Sequence, residues 1–388
     1  ILMWITSGNY FGHTDDQAPW FIGRVDWIAD ENWRSRARAG TNGLGAIRSL
    51  DPTRPGTTHH GAYVGDVHTC NNYLNMIPLQ EREEWLSNWA EEGDIPYLPI
   101  ELGTPLNNTL HRGRAGHSHA DRSECWATEF CAIYLGTNAF HLEEADYRAD
   151  FRKAFLGGQE YRFRGVMPRT RDPFETMRDL FIRNTWRSWR TMGTTAGMLP
   201  WAHDYIEITP GTETTVSNAP FVPGTRGAYR AVRKTGEVHV SRRGAALKVV
   251  NRDTLAWIAG PEDAFVEKNH HFYPGDAVEK QIVVMNDGRE DAPFSVTCAA
   301  ELSGKTIASL TTSGIARVCE HVVIPFAFTA PDARDTARGS ISLETEVGGV
   351  THTDMFVYTV YPRVSPRDNM SVAIVGEDTH TRKALARI

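Results

Sequence analysis

No block of this sequence is rich in Lys and Arg. With 41 basic against 48 acidic residues the formal net charge is −7, which argues against a phosphate backbone or an anionic bilayer as partner. No apolar run reaches membrane-spanning length. The five cysteines, Cys70, Cys125, Cys131, Cys298 and Cys319, form neither a CxxC nor a Cys/His cluster, and so give no sign of zinc. Buried free thiols are the expectation, with Cys298 and Cys319 able to pair if the protein is exported. There is no internal repeat and no low-complexity block. An initiator Met is also missing. The chain opens on Ile1-Leu2-Met3-Trp4 as if in mid-strand, and is expected to be a segment of a longer protein. Its compartment is left open, a periplasmic or extracellular home included.

What is present is an ordinary globular composition, 41% hydrophobic and 23% charged over 388 residues. That is enough chain for two or three domains with real cores. Ten of the eleven Trp lie between Trp4 and Trp201, in a region that alternates helical patterns with short apolar strands. Glu81 to Glu92, "EREEWLSNWAEE", is amphipathic, with Trp85 and Trp89 four apart on one face. The apolar "IPYLPIELG" follows. Phe174 to Met192 reads as a long helix, started by Asp172-Pro173 and stopped by Gly193, and the short strand "AGMLPW" comes after it. Helix then strand, repeated, predicts an α/β layer with a parallel sheet.

The texture changes after about Tyr205. "TPGTETTVSNAPFVPGTRG" is rich in Thr, Pro and Gly and reads as loop. From Ala245 to Pro362 seven β-branched runs are expected as strands: "ALKVVN", "TLAWIAG", "EKQIVVMND", "FSVTCAAEL", "HVVIPFAFTA", "GSISLETEV" and "DMFVYTVYP". Turn signals at Asn286-Asp287-Gly288 and Gly348-Gly349 separate some of them. This pattern fits an antiparallel β-sandwich of immunoglobulin-like type. The expected domains are an α/β part over 1–215, a linker over 216–240, the sandwich over 241–365, and a tail over 366–388 that would open a further α/β domain.

In an α/β barrel the catalytic groups sit at the carboxyl ends of the strands. The candidate ends are Asn9-Tyr10 after "ILMWITSG", Tyr73 after "DVHTCNN", Glu101 after "IPYLPI" and Trp201 after "AGMLP". Glu101 directly follows an apolar strand, with Gly103 allowing a tight turn, and suits a nucleophile or general base. Taken alone it reads equally as a strand-end glutamate facing water. His59, His60, His68, His203 and Asp204 are either site-lining residues or structural hydrogen-bonding groups. His111, His117, His119 and Asp121 have the look of a metal cluster, but their surroundings read as a long loop and no metal is expected. Glu124 and Glu129 favour a helix N-terminus and are read as structural. His270-His271 read as a strand-edge pair.

The order of these motifs is informative. "MWITSGN", "DPTRP" at 51–55, "GDVHTCNNY" at 65–73, "IPYLPIELG" at 95–103 and "MLPW" at 198–201 occur in that sequence. Together they resemble the second half of the catalytic barrel of clan A glycoside hydrolases, most nearly the family 2 β-galactosidases and β-glucuronidases. The resemblance covers about Ile1 to Tyr205. It implies strands 4 to 8 of a (β/α)8 TIM barrel, ahead of the immunoglobulin-like sandwich, and retaining hydrolysis of a β-linked glycoside without a cofactor. By the resemblance Glu101 would be the nucleophile and Tyr73 the tyrosine bonded to it. Trp201 would be the platform under the sugar, and Asn9 the partner of the 2-hydroxyl. His13, His68, Tyr10 and His203 join the candidate sugar-binding residues.

Tyr10 departs from the pattern, because the family has its acid/base glutamate there. A phenol titrating near 10 is poorly matched to that task. The same loop, "FGHTDDQAP", offers Asp16 and then Asp15 as replacements. A retaining mechanism needs the two carboxyl groups about 5–5.5 Å apart. A catalytically inactive sugar-binding or cell-surface protein is the alternative. Carbohydrate is the expected partner, with neither nucleic acid nor membrane, and oligomeric state is left open.

Overall fold

The computed structural model describes residues 3–6, 31–59, 64–72, 74, 77–100, 102, 137, 172–200, 206–208, 213–215, 232–234, 238–240, 242–363 and 381–383. They mix helix and strand, with sheet predominant, and the chain divides into two units, Ile1–Arg252 and Asp253–Ile388.

In the first unit β1 (Trp4–Ile5) is followed by α1 (Glu31–Leu50) and β2 (Gly56–Thr57), and the two strands pair in parallel. β3 (His68–Cys70), α2 (Leu79–Glu84), α3 (Ser87–Glu92) and β4 (Tyr97–Pro99) repeat this plan, again with parallel pairing. α4 (Asp172–Thr191) then returns the chain along β4, through the parallel bridges Tyr97–Thr195 and Leu102–Pro200. Parallel neighbours need such crossovers, and here the crossovers contain helices.

The "DPTRP" run builds the turn into β2. Asp51 accepts bonds from the Thr53 hydroxyl (2.6 Å) and amide (3.0 Å), while the Trp4 indole donates to its other oxygen at 2.9 Å. The Thr53 hydroxyl first, then the indole, hold this carboxyl well below the usual carboxylate range. A second carboxylate, Asp66, accepts from the Gly56 amide at 2.8 Å and from Arg48 of α1 at 2.6 Å. Gly65 sits beside it at φ +105, and a side chain there would collide with the Gly56 carbonyl.

The stretch 81–92 is not the single helix its amphipathic pattern predicts. It is two helices broken at Trp85-Leu86. Arg82 and Glu83 are buried, whereas Trp85 is only partly so. Arg82 donates from Nε to Thr185 Oγ1 (2.8 Å) and from Nη1 to the Leu74 carbonyl (2.9 Å), with its guanidinium 5.3 Å from the Phe181 ring centre. The Ser188 hydroxyl donates to Glu83 at 2.9 Å. Burial of these charges is tolerable because each is hydrogen-bonded.

α4 follows its sequence signals to within two residues. Ile182, Trp186 and Trp189 are buried at helical spacing, and Gly193 stops the helix at φ +67. The core they enter contains Cys70, Leu86, Trp89, Tyr97 and Leu102. Each buried indole N–H has an acceptor: Ile95 O for Trp89, Asn251 Oδ1 for Trp186 and Arg82 O for Trp189.

Two short antiparallel pairs follow. β5 (Ile206–Ile208) and β6 (Glu213–Thr215) precede β7 (Val232–Lys234) and β8 (Val238–Val240); β5 joins β8 and β6 joins β7. Strands therefore occur within 216–240, the stretch read as linker. "ALKVVN", expected as a strand, is helix: it lies in α5 (Arg242–Val250) and the turn after it. Leu247 and Val250, three apart, both enter the core that holds Trp186, which is helical rather than strand periodicity.

The second unit is two sheets around one core. β9 (Thr254–Ala259), β10 (His271–Phe272), β11 (Ala277–Asn286), β12 (Ala292–Leu302), β13 (Lys305–Ala316), β14 (Glu320–Thr329), β15 (Ala337–Val347) and β16 (Val350–Val360) form it. One sheet has the order β10-β16-β15-β12-β13 and the other β14-β11-β9. Ile282, Val284 and Phe326 from the second pack in a common core with Val296, Cys298, Ile341 and Leu343 from the first. Six of the seven expected runs are strands here. β13 was not expected. Two-residue turns join β12 to β13 (Ser303 φ 50, Gly304 φ 77) and β15 to β16 (Gly348 φ 55, Gly349 φ 78). Positive φ at both central residues is the type I′ hairpin requirement. Cys298 is buried and free and Cys319 is exposed and free, so the pairing suggested for them is not formed.

Candidate functional site

Parallel strands present their carboxyl ends on one side. In the first unit these ends are Thr6, Thr58, Asn71-Asn72, Ile100 and Leu102, and Leu199-Pro200. The rim is tied together by backbone bonds. Thr6 N donates to Thr57 O (3.0 Å), Ile100 N to Cys70 O (2.8 Å) and Leu102 N to Leu199 O (2.8 Å). Residues 100 and 102 are thus anchored to different neighbouring segments.

Polar side chains line the ends of β2 and β3. Thr57, Thr58, Asn71 and Asn72 are all buried. Thr57 Oγ1 donates to Val67 O at 2.6 Å, and the Thr69 hydroxyl donates to the Thr58 carbonyl. The Tyr97 hydroxyl donates to Asn72 Oδ1 at 2.6 Å, so this amide is oriented from the next strand. His59, two residues beyond β2, is half-buried, and that burial lowers its pKa and favours the neutral ring. An oriented amide and a neutral imidazole are groups that hydrogen-bond hydroxyls.

The expected site residues are distributed unevenly over this rim. Asn9, Tyr10, His13, Asp15, Asp16, Tyr73, Glu101, Trp201 and His203 lie outside the described residues, as do His60, His111, His117, His119, Asp121, Glu124, Glu129 and Asp204. His68 is described. It is the first residue of β3, 5% exposed, with its ring 4.8 Å from Trp89 and nearly parallel to it, and 5.4 Å from Tyr97. It therefore sits at the amino end of its strand, packed among aromatic rings. Asn71 and Asn72 were missed as candidates. The available signal was two consecutive amides directly after a strand, next to Tyr73. Among the described residues no three His, Cys, Asp or Glu side chains gather as a metal site.

No family model and no curated protein matches the chain. Among solved structures, a β-D-mannosidase from Dictyoglomus thermophilum aligns at 14% identity and TM-score 0.43, over 92% of this chain and 38% of its own. The chain thus spans well under half of that protein. A CARDB domain from Pyrococcus furiosus aligns at 20% identity and TM-score 0.20, over 28% of this chain and 87% of its own. The sporulation control protein Spo0M of Bacillus subtilis aligns at 14% identity and TM-score 0.19, over 29% of this chain and 51% of its own.

Proposed function

We propose that the protein is a retaining glycoside hydrolase acting on a β-linked glycoside, with the first unit as part of a (β/α)8 barrel and the second as an immunoglobulin-like accessory domain. The observation that carries this reading is the parallel pairing of β3, β4 and residues 195–200. Their carboxyl ends run directly, in sequence, into Tyr73, Glu101 and Trp201. A nucleophile, its hydroxyl partner and an aromatic platform on adjacent strand ends is what glycoside chemistry needs.

In this reading Glu101 attacks the anomeric carbon while Asp16, or Asp15, protonates the departing oxygen. A glycosyl ester on Glu101 results. The same aspartate, now ionised, takes a proton from water, which attacks the anomeric carbon and frees Glu101. Tyr97 orients the buried amide of Asn72 at the rim, and His68 is a packing residue.

The test is the kinetics of full-length protein on aryl β-glycosides. Glu101→Gln is expected to abolish turnover. Asp16→Asn is expected to slow substrates with poor leaving groups by about 10²–10⁴-fold, the usual scale of general acid catalysis, and to spare substrates with activated ones. If Asp16→Asn is neutral on both, the acid assignment is wrong. Tyr10 in the family's acid position favours a second reading, a sugar-binding protein without turnover. Under that reading Glu101→Gln leaves sugar affinity in place and wild type releases no aglycone.

A further inference from the structure

β13 is the long free edge of the five-stranded sheet. Sheet edges expose a row of backbone donors and acceptors, and proteins guard them with short strands, charges or Pro. The other edges follow this rule. β10 has 2 residues and β9 has 6, while β14 carries Pro325 and starts with Glu320-His321. β13 has 12 residues and is uncharged from Thr306 to Ala316; its one register shift, at Ile307 near its start, leaves Ala308 to Ala316 regular. Among the described residues none hydrogen-bonds to its outer backbone edge. Its inward-facing Ala308, Leu310 and Thr312 are half-buried, while Val296, Cys298 and Ala300 opposite them on β12 are 0% exposed. The flank of the core is open there.

The strand is also nearly symmetric about its own middle. Ser309-Leu310-Thr311-Thr312-Ser313 is flanked by Ala308 and Gly314. Antiparallel pairing of two copies about Thr311 sets Ser309 opposite Ser313, Ala308 opposite Gly314, and Thr311 opposite itself. It also brings Ile315, 63% exposed, near Ile307 of the other copy's strand, which lies at the register shift. Thr306 to Ala316 carries no charge, so the middle of the two edges meets without repulsion, and Lys305 faces Arg317 of the other copy only at the two ends. This self-complementarity selects the occupant.

We infer that β13 pairs antiparallel with β13 of a second copy of this chain, about a two-fold axis at Thr311, to give one ten-stranded sheet. A single strand pair is small beside the roughly 1,200–2,000 Å² of stable complexes, so a weak dimer is expected.

The test is molar mass by light scattering on the full chain at about 100 µM, high enough to populate a weak dimer. Wild type is expected to be dimeric. Thr311→Lys sets two charges face to face and is expected to be monomeric with unchanged melting temperature. In a Cys319→Ser background, Thr311→Cys is expected to form a disulfide-linked dimer that the parent does not. Directly opposed residues in an antiparallel pair have Cα atoms about 4.5–5.5 Å apart, within disulfide reach. A monomeric wild type overturns the inference. So does a dimer that survives Thr311→Lys while Thr311→Cys fails to cross-link.

Discussion

At the scale of residues, the buried charges are the most exacting feature. Arg82 satisfies the Leu74 carbonyl and the Thr185 hydroxyl from within the core. Arg82→Ala is expected to cost about 1–3 kcal/mol, the usual penalty for leaving buried acceptors without a donor, measured by denaturant unfolding. Asp51 gives a pH signature. Its folded-state pKa lies below that of the unfolded chain, so its contribution is complete above the unfolded value. It is lost as the pH falls through the folded one. Asp51→Asn is therefore expected to flatten the acid limb of stability against pH while changing little of the slope near neutrality. Lys280 has the opposite character. It lies 4.2 Å from the Phe356 ring centre, and burial pushes its amine down to about 8. The unfolded chain binds the extra proton between that value and about 10.4, so stability rises with pH across that window. Lys280→Met is expected to remove the rise and to raise the melting temperature near neutrality.

At the scale of elements, legibility depended on whether a signal was local. α4 was readable because a Pro start, a Gly stop and Trp at helical spacing all agree. The hairpin at Gly348-Gly349 was readable because positive φ selects glycine. β13 was not, because Ser, Thr, Ala and Gly give no apolar alternation, and its pairing with β12 is what makes it a strand. "ALKVVN" misled because Val249-Val250 favour strand, whereas Leu247 and Val250 pack at helical spacing into the core of Trp186. The break at Trp85-Leu86 was hidden for a similar reason, since the partners of Arg82 and Glu83 lie about a hundred residues away on α4. Gly339 of β15 is a further element-scale device. A side chain there would collide with the Tyr358 ring and the Glu301 carbonyl, and the Tyr358 hydroxyl donates to that carbonyl at 3.0 Å. Gly339→Val is expected to destabilise the second unit by about 1–3 kcal/mol, the usual overpacking cost, read from its melting temperature.

At the scale of the whole molecule, the strand ends of the first unit were legible as an ordered series of motifs, while their support was not. "DPTRP" stood out in the sequence as a marker, and in the structure it is the turn that ties β1 to β2 through Asp51 and Trp4. Asn72 went unnoticed because its orientation depends on Tyr97 of the next strand. The parallel pairing of β3 and β4 and the bonds from Ile100 and Leu102 bracket the position of Glu101 in the sequence. As the proposed nucleophile, Glu101 becomes glycosylated during turnover. The most direct measurement is mass spectrometry of peptides from full-length protein treated with 2-fluoro β-glycosides bearing an activated leaving group. A single added fluoroglycosyl group on Glu101 is expected, absent from Glu101→Gln. A label on another carboxylate, or hydrolysis of the same glycosides with no label at all, would contradict it.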